Sequence, residues 1–222
     1  MNQFTRVLTV TLAAALFAAP AFAGLSAKSA HDIGGQVTSA YLTTTQVERQ
    51  MADLKGKPMT GELMNGLAAI DRSAAAATAL ANNHAHLQPG LDHVRAVLRM
   101  VKEDGKVSDK SIGLVGEASI ELYALMVNAA IIEAEAHLNS AVDALKKDKR
   151  QDVVFYLKQA NVAMATANER GAYHIQNDLE EIEAAVATIS DKVSANVPVS
   201  ADAIEERIAE INSHLFHVGE GE

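Results

Sequence analysis

The chain has 222 residues, a formal net charge of −9 and no cysteine or tryptophan. Without cysteine it forms no disulfide, offers no thiolate nucleophile and attaches no c-type haem. The acidic balance argues against nucleic-acid binding, because neutralising phosphates requires clustered lysine and arginine.

Residues 1–23 have the order of regions that is typical of a secretory signal peptide. Arg6 precedes an apolar run over residues 7–18, and small residues stand at Ala21 and Ala23. This apolar run is too short to cross a bilayer. We therefore expect cleavage after Ala23, and an exported chain without cysteine indicates the bacterial periplasm.

The remaining residues, 24–222, show helical periodicity nearly throughout and no strand-like alternation, so we expect one domain. Prolines, glycines and capping residues divide the pattern into six predicted helices, followed by a short disordered tail; the helices cover about residues 36–54, 60–87, 91–103, 109–147, 153–195 and 202–218. Each helix has an apolar stripe, and helices joined by short turns bury such stripes only against one another. The predicted fold class is all-α, an elongated antiparallel bundle of about six helices, two of them long.

Two predicted helices have distinctive apolar patterns. The fourth is apolar around most of its circumference over residues 122–132, a run that suits a core helix and is too short to cross a membrane. The fifth carries apolar residues with strict 4-3 spacing, named here the 175–193 seam: Ile175, Leu179, Ile182, Val186, Ile189 and Val193. This spacing is typical of coiled coils, so the seam packs either inside the bundle or against a second copy of the chain.

Three of the eight histidines lie close together, at His84, His86 and His93. His84 and His86 are two residues apart and cannot share one helix face, and Pro89 separates both from His93. A metal site here requires the chain to fold back and an acidic residue from another helix. The alternative is a corner between two helices, where histidines complement the negative end of the helix dipole.

Two further groups have the spacing of residues on one helix face. Glu133 and His137 are four residues apart, so they can bind one ligand together or form a local pair at the solvent edge. On the last helix, acidic residues and histidines follow one another at spacings of four, four and three: Glu206, Glu210, His214 and His217. That face binds a divalent cation weakly, or it only matches the helix dipole.

His174 begins another candidate group. Asp178 follows it at a spacing of four, and Glu181 lies near the next turn. Gly171 interrupts the helix just upstream, which permits a close helix crossing or a bend. The group is either a joint that responds to protons or to a ligand, or a local ion pair beside a tight crossing.

No motif for catalysis is present in the sequence. It lacks Gly-x-Ser-x-Gly, His-Glu-x-x-His and a glycine-rich phosphate loop, as well as the Glu-x-x-His motif of di-iron bundles. We therefore predict that the protein is not an enzyme. We expect no cofactor, unless the histidines and glutamates bind a divalent transition metal.

The segment EAHLNSAVDALKKDKRQDVVFYLKQANVAMATA, residues 135–167, resembles the YfdX family of exported bacterial helical proteins. In that family one helix ends in a Leu-Lys-Lys turn and the next carries Leu-Lys-x-Ala; here these are residues 145–147 and 157–160. The usual Gly-Asp of the family's turn is replaced by Lys147-Asp148-Lys149. The resemblance implies a periplasmic protein linked to stress or small-molecule tolerance, without a catalytic site, and it assigns no residue roles.

The sequence leaves three hypotheses for the function. The first is a stress-related accessory protein that binds a partner protein or an apolar small molecule between its helices. The second is a metal-handling protein that uses the histidines and glutamates named above. The third is a structural protein that dimerises through the 175–193 seam.

Overall fold

The computed structural model describes residues 24–170 and 173–215, of which residues 173 and 174 are described by their backbone alone. This part of the chain forms an all-α fold without strands, as the sequence predicts. Its seven helices are α1 (Ala27–Asp53), α2 (Gly61–Ala81), α3 (Gln88–Asp104), α4 (Asp109–Lys146), α5 (Arg150–Arg170), α6 (Tyr173–Ser194) and α7 (Ala201–Asn212). One isolated β-bridge, between residues 58 and 106, ties the α1–α2 loop to the α3–α4 loop.

Hydroxyl side chains cap the start of four helices. In each case the oxygen of a serine or threonine accepts a hydrogen bond from the backbone N–H three residues later; the four residues are Ser26, Thr60, Ser108 and Ser200. These caps satisfy N–H groups that have no partner within the helix. Helix starts are therefore encoded locally.

The 38-residue helix α4 lies at the centre of the fold and packs against α1, α3, α5 and α7. It contributes to one apolar core with α1, α2 and α3, and to a second core with α5, α6 and α7. Helix α1 runs antiparallel to α4, since the Tyr41 and Tyr123 rings lie 6.1 Å apart while His31 contacts Glu133. The prediction that residues 122–132 are surrounded by other helices is confirmed, because most of these side chains are buried.

The prediction of one long fifth helix is wrong, because residues 150–194 form two helices that pack side by side. Arg150 at the start of α5 donates a hydrogen bond to Asn196, just after α6, so the two helices are antiparallel. All six side chains of the 175–193 seam are buried in the second core. The seam is therefore packed inside the chain, and a homodimer, which stays a prediction, would need another surface.

Three helix ends differ from the prediction. Helix α1 begins at Ala27, earlier than expected, and α7 ends at Asn212 rather than near 218. Helix α2 ends at Ala81, although its apolar stripe continues to residue 87. The chain leaves the helix because Asn82 and Asn83 adopt positive φ angles of 47° and 62°, which asparagine tolerates better than most residues.

Of the described helices, α4 alone is long and apolar enough, by length and composition, to cross a membrane. Within this fold 61% of its most apolar window is buried by other parts of the chain. A central helix that serves two cores has to be apolar on most sides. The apolar character of α4 is thus accounted for by packing within the chain.

Candidate functional site

A cavity of about 560 Å³ lies where four distant segments of the chain meet. The residues before α1 form one side of it, and the turn between α2 and α3 forms another. The C-terminal half of α4 and the end of α7 complete the described part of the wall. These segments are far apart in sequence, so no local pattern indicates the cavity.

The α2–α3 turn brings His84 and His86 to the cavity together. The His84 backbone N–H donates to the Ala81 carbonyl at 2.9 Å, and the His86 N–H points to His84 Nδ1 at 3.4 Å. Asn128, which is buried in α4, donates from Nδ2 to the His86 carbonyl at 3.0 Å. The two imidazole rings lie 6.1 Å apart and both line the cavity. A spacing of two residues keeps side chains on different faces only within a helix, and His84 and His86 lie in a turn.

The two imidazoles differ in their surroundings. Burial lowers the pKa of His84 below its usual 6.5, and the neighbouring His86 lowers it further. His84 is therefore neutral at pH 7. Since its Nδ1 faces the His86 N–H, we assign the proton of the neutral ring to Nε2, which leaves an N–H donor.

The walls from α4 and α7 contribute a carboxylate, a hydroxyl and amides. The Glu135 carboxylate makes no hydrogen bond or ion pair with other residues in the described part of the chain. The Ser140 hydroxyl donates to the Ala136 carbonyl at 2.9 Å, so its lone pairs remain free to accept. Asn212 Oδ1 is buried beside the cavity without a hydrogen-bond partner among the described residues. Glu135 was not predicted from the sequence, because its local pattern is that of any other helical glutamate.

His93 does not join the two other histidines of its segment. Its Nε2 lies 2.8 Å from Glu117 Oε1, so it links α3 to α4. Residue Pro89 lies at the start of α3 and directs His93 along that helix. Two of the three clustered histidines therefore line the cavity, and the third is hydrogen-bonded to a glutamate elsewhere.

Glu133 and His137 do not act on each other as the spacing suggested. Glu133 is paired with His31 of α1, whose Nδ1 lies 3.1 and 3.3 Å from its carboxylate oxygens. His137 packs its ring 6.4 Å from that of Tyr156, and its Nδ1 is buried without a partner among the described residues. His31 was not found from the sequence, because it lies before the predicted start of the first helix.

The titration of this second group is shifted by burial. Burial raises the pKa of Glu133, and the charges of His31 and Arg170 oppose that rise. Burial lowers the pKa of His137, and His31 lowers it further. His31, Glu133 and Arg170 line a second cavity of about 370 Å³ between α1, α4 and α5.

On α7 the acidic residues are held by a cation. Arg207 lies 2.9 Å from Glu206 and 2.7 Å from Glu210, so both carboxylates are engaged. His214 lies after the end of α7, with Nε2 4.0 Å from Asp178 Oδ2. His217 falls outside the described residues.

Asp178 and Glu181 line a small cavity of about 310 Å³ together with residues of α7 and of the segment that follows it. Glu210, His214 and Arg207 line the same cavity. The side chain of His174 falls outside the described part of the structure. The two candidate groups thus share one place between α6 and α7, where Arg207 already pairs with Glu206 and Glu210.

Among the described residues no three histidine, aspartate or glutamate side chains lie close enough together to hold one metal ion. The pairs that do form, His31 with Glu133, His93 with Glu117 and His214 with Asp178, join different helices. Such pairs hold neighbouring parts of the bundle together. A metal site stays a prediction, and at none of the candidate groups does the geometry favour metal binding over a simple pair of side chains.

Comparisons of the chain with protein-family models, with curated proteins and with solved structures give no significant match. The hairpin in which the YfdX resemblance lies is present, since α4 ends at Lys146 and α5 begins at Arg150. A helical hairpin is common to many folds, so membership of that family stays a prediction.

Proposed function

We propose that this chain is an exported, non-catalytic binding protein that holds a small organic molecule in the cavity between the mature N-terminus, the α2–α3 turn, α4 and α7. The observation that carries the proposal is the cavity of about 560 Å³, which has both apolar and polar walls. Sites for small molecules typically have volumes of about 300–1,000 Å³ and combine apolar lining with a few placed polar groups. A signal peptide at residues 1–23 would deliver the protein to the periplasm.

The polar groups of the cavity favour binding over catalysis. A hydroxyl nucleophile needs a base within hydrogen-bond reach, whereas Ser140 donates to a carbonyl of its own helix. His84 Nδ1 faces a backbone N–H and is not placed to accept a proton from a hydroxyl. The resemblance to the YfdX family would add a role in stress or small-molecule tolerance.

The test fills the cavity without changing its charge. Ala136, half-buried in the α4 wall, is replaced by phenylalanine, and the matched control is Ala184→Phe on the exposed face of α6. Wild-type protein isolated from periplasmic extract is examined by native mass spectrometry for a bound small molecule, and all three proteins are screened by thermal shift against a metabolite library.

We expect an adduct or a stabilising compound for wild type and for Ala184→Phe, and its loss in Ala136→Phe. A compound that stabilises all three proteins equally would place binding elsewhere and overturn the proposal. No adduct and no stabilising compound for any protein would also overturn it.

A further inference from the structure

We infer that the ligand of this cavity is an amphiphilic amine, whose ammonium group is bound by the carboxylate of Glu135 and whose apolar part lies against the alanine and leucine side chains of the wall. The inference rests on the proposed function and adds the chemical class of the ligand.

The described wall of the cavity carries a negative charge without a lysine or arginine beside it. Glu135 is a partly buried carboxylate, and no lysine or arginine lies among the described residues that line the cavity. His84 is held neutral by its surroundings, so it does not balance the carboxylate at pH 7. A carboxylate in such a place is stabilised by a cation, and a ligand with an ammonium group supplies one.

The cavity also offers a hydroxyl oxygen that can only accept. Ser140 has used its proton on the Ala136 carbonyl, so its lone pairs remain for a ligand. An ammonium group carries three donors and no acceptor, which suits this oxygen.

The apolar part of the wall favours a ligand whose remaining part, beyond the ammonium group, is apolar. Leu25 and Leu215 line the cavity with Ala85 and Ala136, and they leave an apolar surface next to the carboxylate. An alkyl or aryl amine buries its body against these side chains while its ammonium group reaches Glu135. A small hydrophilic cation would leave this surface wet and gain less.

The mature N-terminus belongs to the same wall. Cleavage after Ala23 would free an α-amino group on Gly24, which lines the cavity. That group is the natural competitor of the ligand for the carboxylate. All assays therefore use a chain whose first residue is Gly24.

The experiment compares three probes of equal chain length, n-octylamine, octan-1-ol and octanoate, by isothermal titration calorimetry. The proteins are wild type, Glu135→Gln and the control Glu169→Gln, whose side chain is exposed on α5. Circular dichroism confirms that each variant is folded. We expect wild type to bind octylamine about tenfold more tightly than octanol, because a charge-assisted hydrogen bond at a partly exposed site contributes about that factor. The preference should fall below about threefold in Glu135→Gln and stay unchanged in Glu169→Gln.

Three results overturn the inference in different ways. If octanol or octanoate binds wild type as tightly as octylamine, the amine preference is refuted while the cavity remains a binding site. If Glu135→Gln keeps the full preference for octylamine, another group binds the ammonium. If none of the probes binds any protein, the inference fails, and the proposed function is then judged by the cavity-filling variant.

Discussion

Replacing Gly66 of α2 by alanine should destabilise the protein, although alanine is the better helix former. A Cβ atom on residue 66 would lie 2.6 Å from Val47 Cγ2 of α1. Carbon atoms in contact normally lie about 3.5–4.0 Å apart, so one of the two helices has to move by about 1 Å. Val47 is only 1% exposed, and a β-branched side chain in a helix has almost one rotamer, so it has little freedom to move away.

The magnitude follows from two opposing terms. Overpacking a tight contact costs about 1–3 kcal/mol, and exchanging glycine for alanine in a helix interior gains about 1 kcal/mol. The net change in the free energy of unfolding is a loss of about 0–2 kcal/mol. The matched control is Gly113→Ala in α4, where a new Cβ would meet no atom within 4 Å. That variant should gain about 1 kcal/mol, since only the helix-propensity term remains.

Urea unfolding followed by circular dichroism at the helix band measures both variants. The two free energies of unfolding should differ by about 1–3 kcal/mol, with Gly66→Ala the less stable. In a Val47→Ala background, the substitution Gly66→Ala should become stabilising, because the clashing methyl group is gone. Equal stabilisation of the protein by Gly66→Ala and Gly113→Ala would refute the close contact between α1 and α2.

Four other predictions concern single side chains. Burial lowers the pKa of His137, so the unfolded chain binds more protons than the folded chain as the pH falls below about 6.5. The stability that this group contributes above that pH is therefore lost on acidification. Thermal unfolding at pH 7.5 and 5.5 should show that His137→Gln loses less stability than wild type. Asn128→Leu removes the donor to the His86 carbonyl and should cost about 1–3 kcal/mol in urea unfolding, and a cost under about 0.5 kcal/mol would contradict a structural role for that bond. Arg207→Gln should cost about 0.5–1 kcal/mol at low salt and less at high salt, because it leaves two glutamates unpaired. Calorimetric titration of wild type and His214→Ala with zinc should give equal affinities, and a weaker affinity in the variant would revive the metal hypothesis for α7.

The sequence predicted the parts of the fold that depend on a few neighbouring residues. The caps at Thr60, Ser108 and Ser200 are of this kind, because each hydroxyl acts on a backbone N–H three residues away. The break between α5 and α6 was not expected, since the apolar period continues across it. Two antiparallel helices that face one core share the same pattern as a single helix, so periodicity cannot tell them apart.

The candidate site shows the same division. Spacing along the chain left open whether His93 folds back toward His84 and His86, and it did not show that these two line one cavity. The partner of Glu133 is His31, 102 residues away, and no local pattern predicts such a pair. Sequence by itself determined the class of fold, the helix stripes and most helix starts, because capping and periodicity act within a turn or two. Only the tertiary structure decided which polar groups meet, because that depends on how far each helix slides along its neighbour before the apolar stripes interlock.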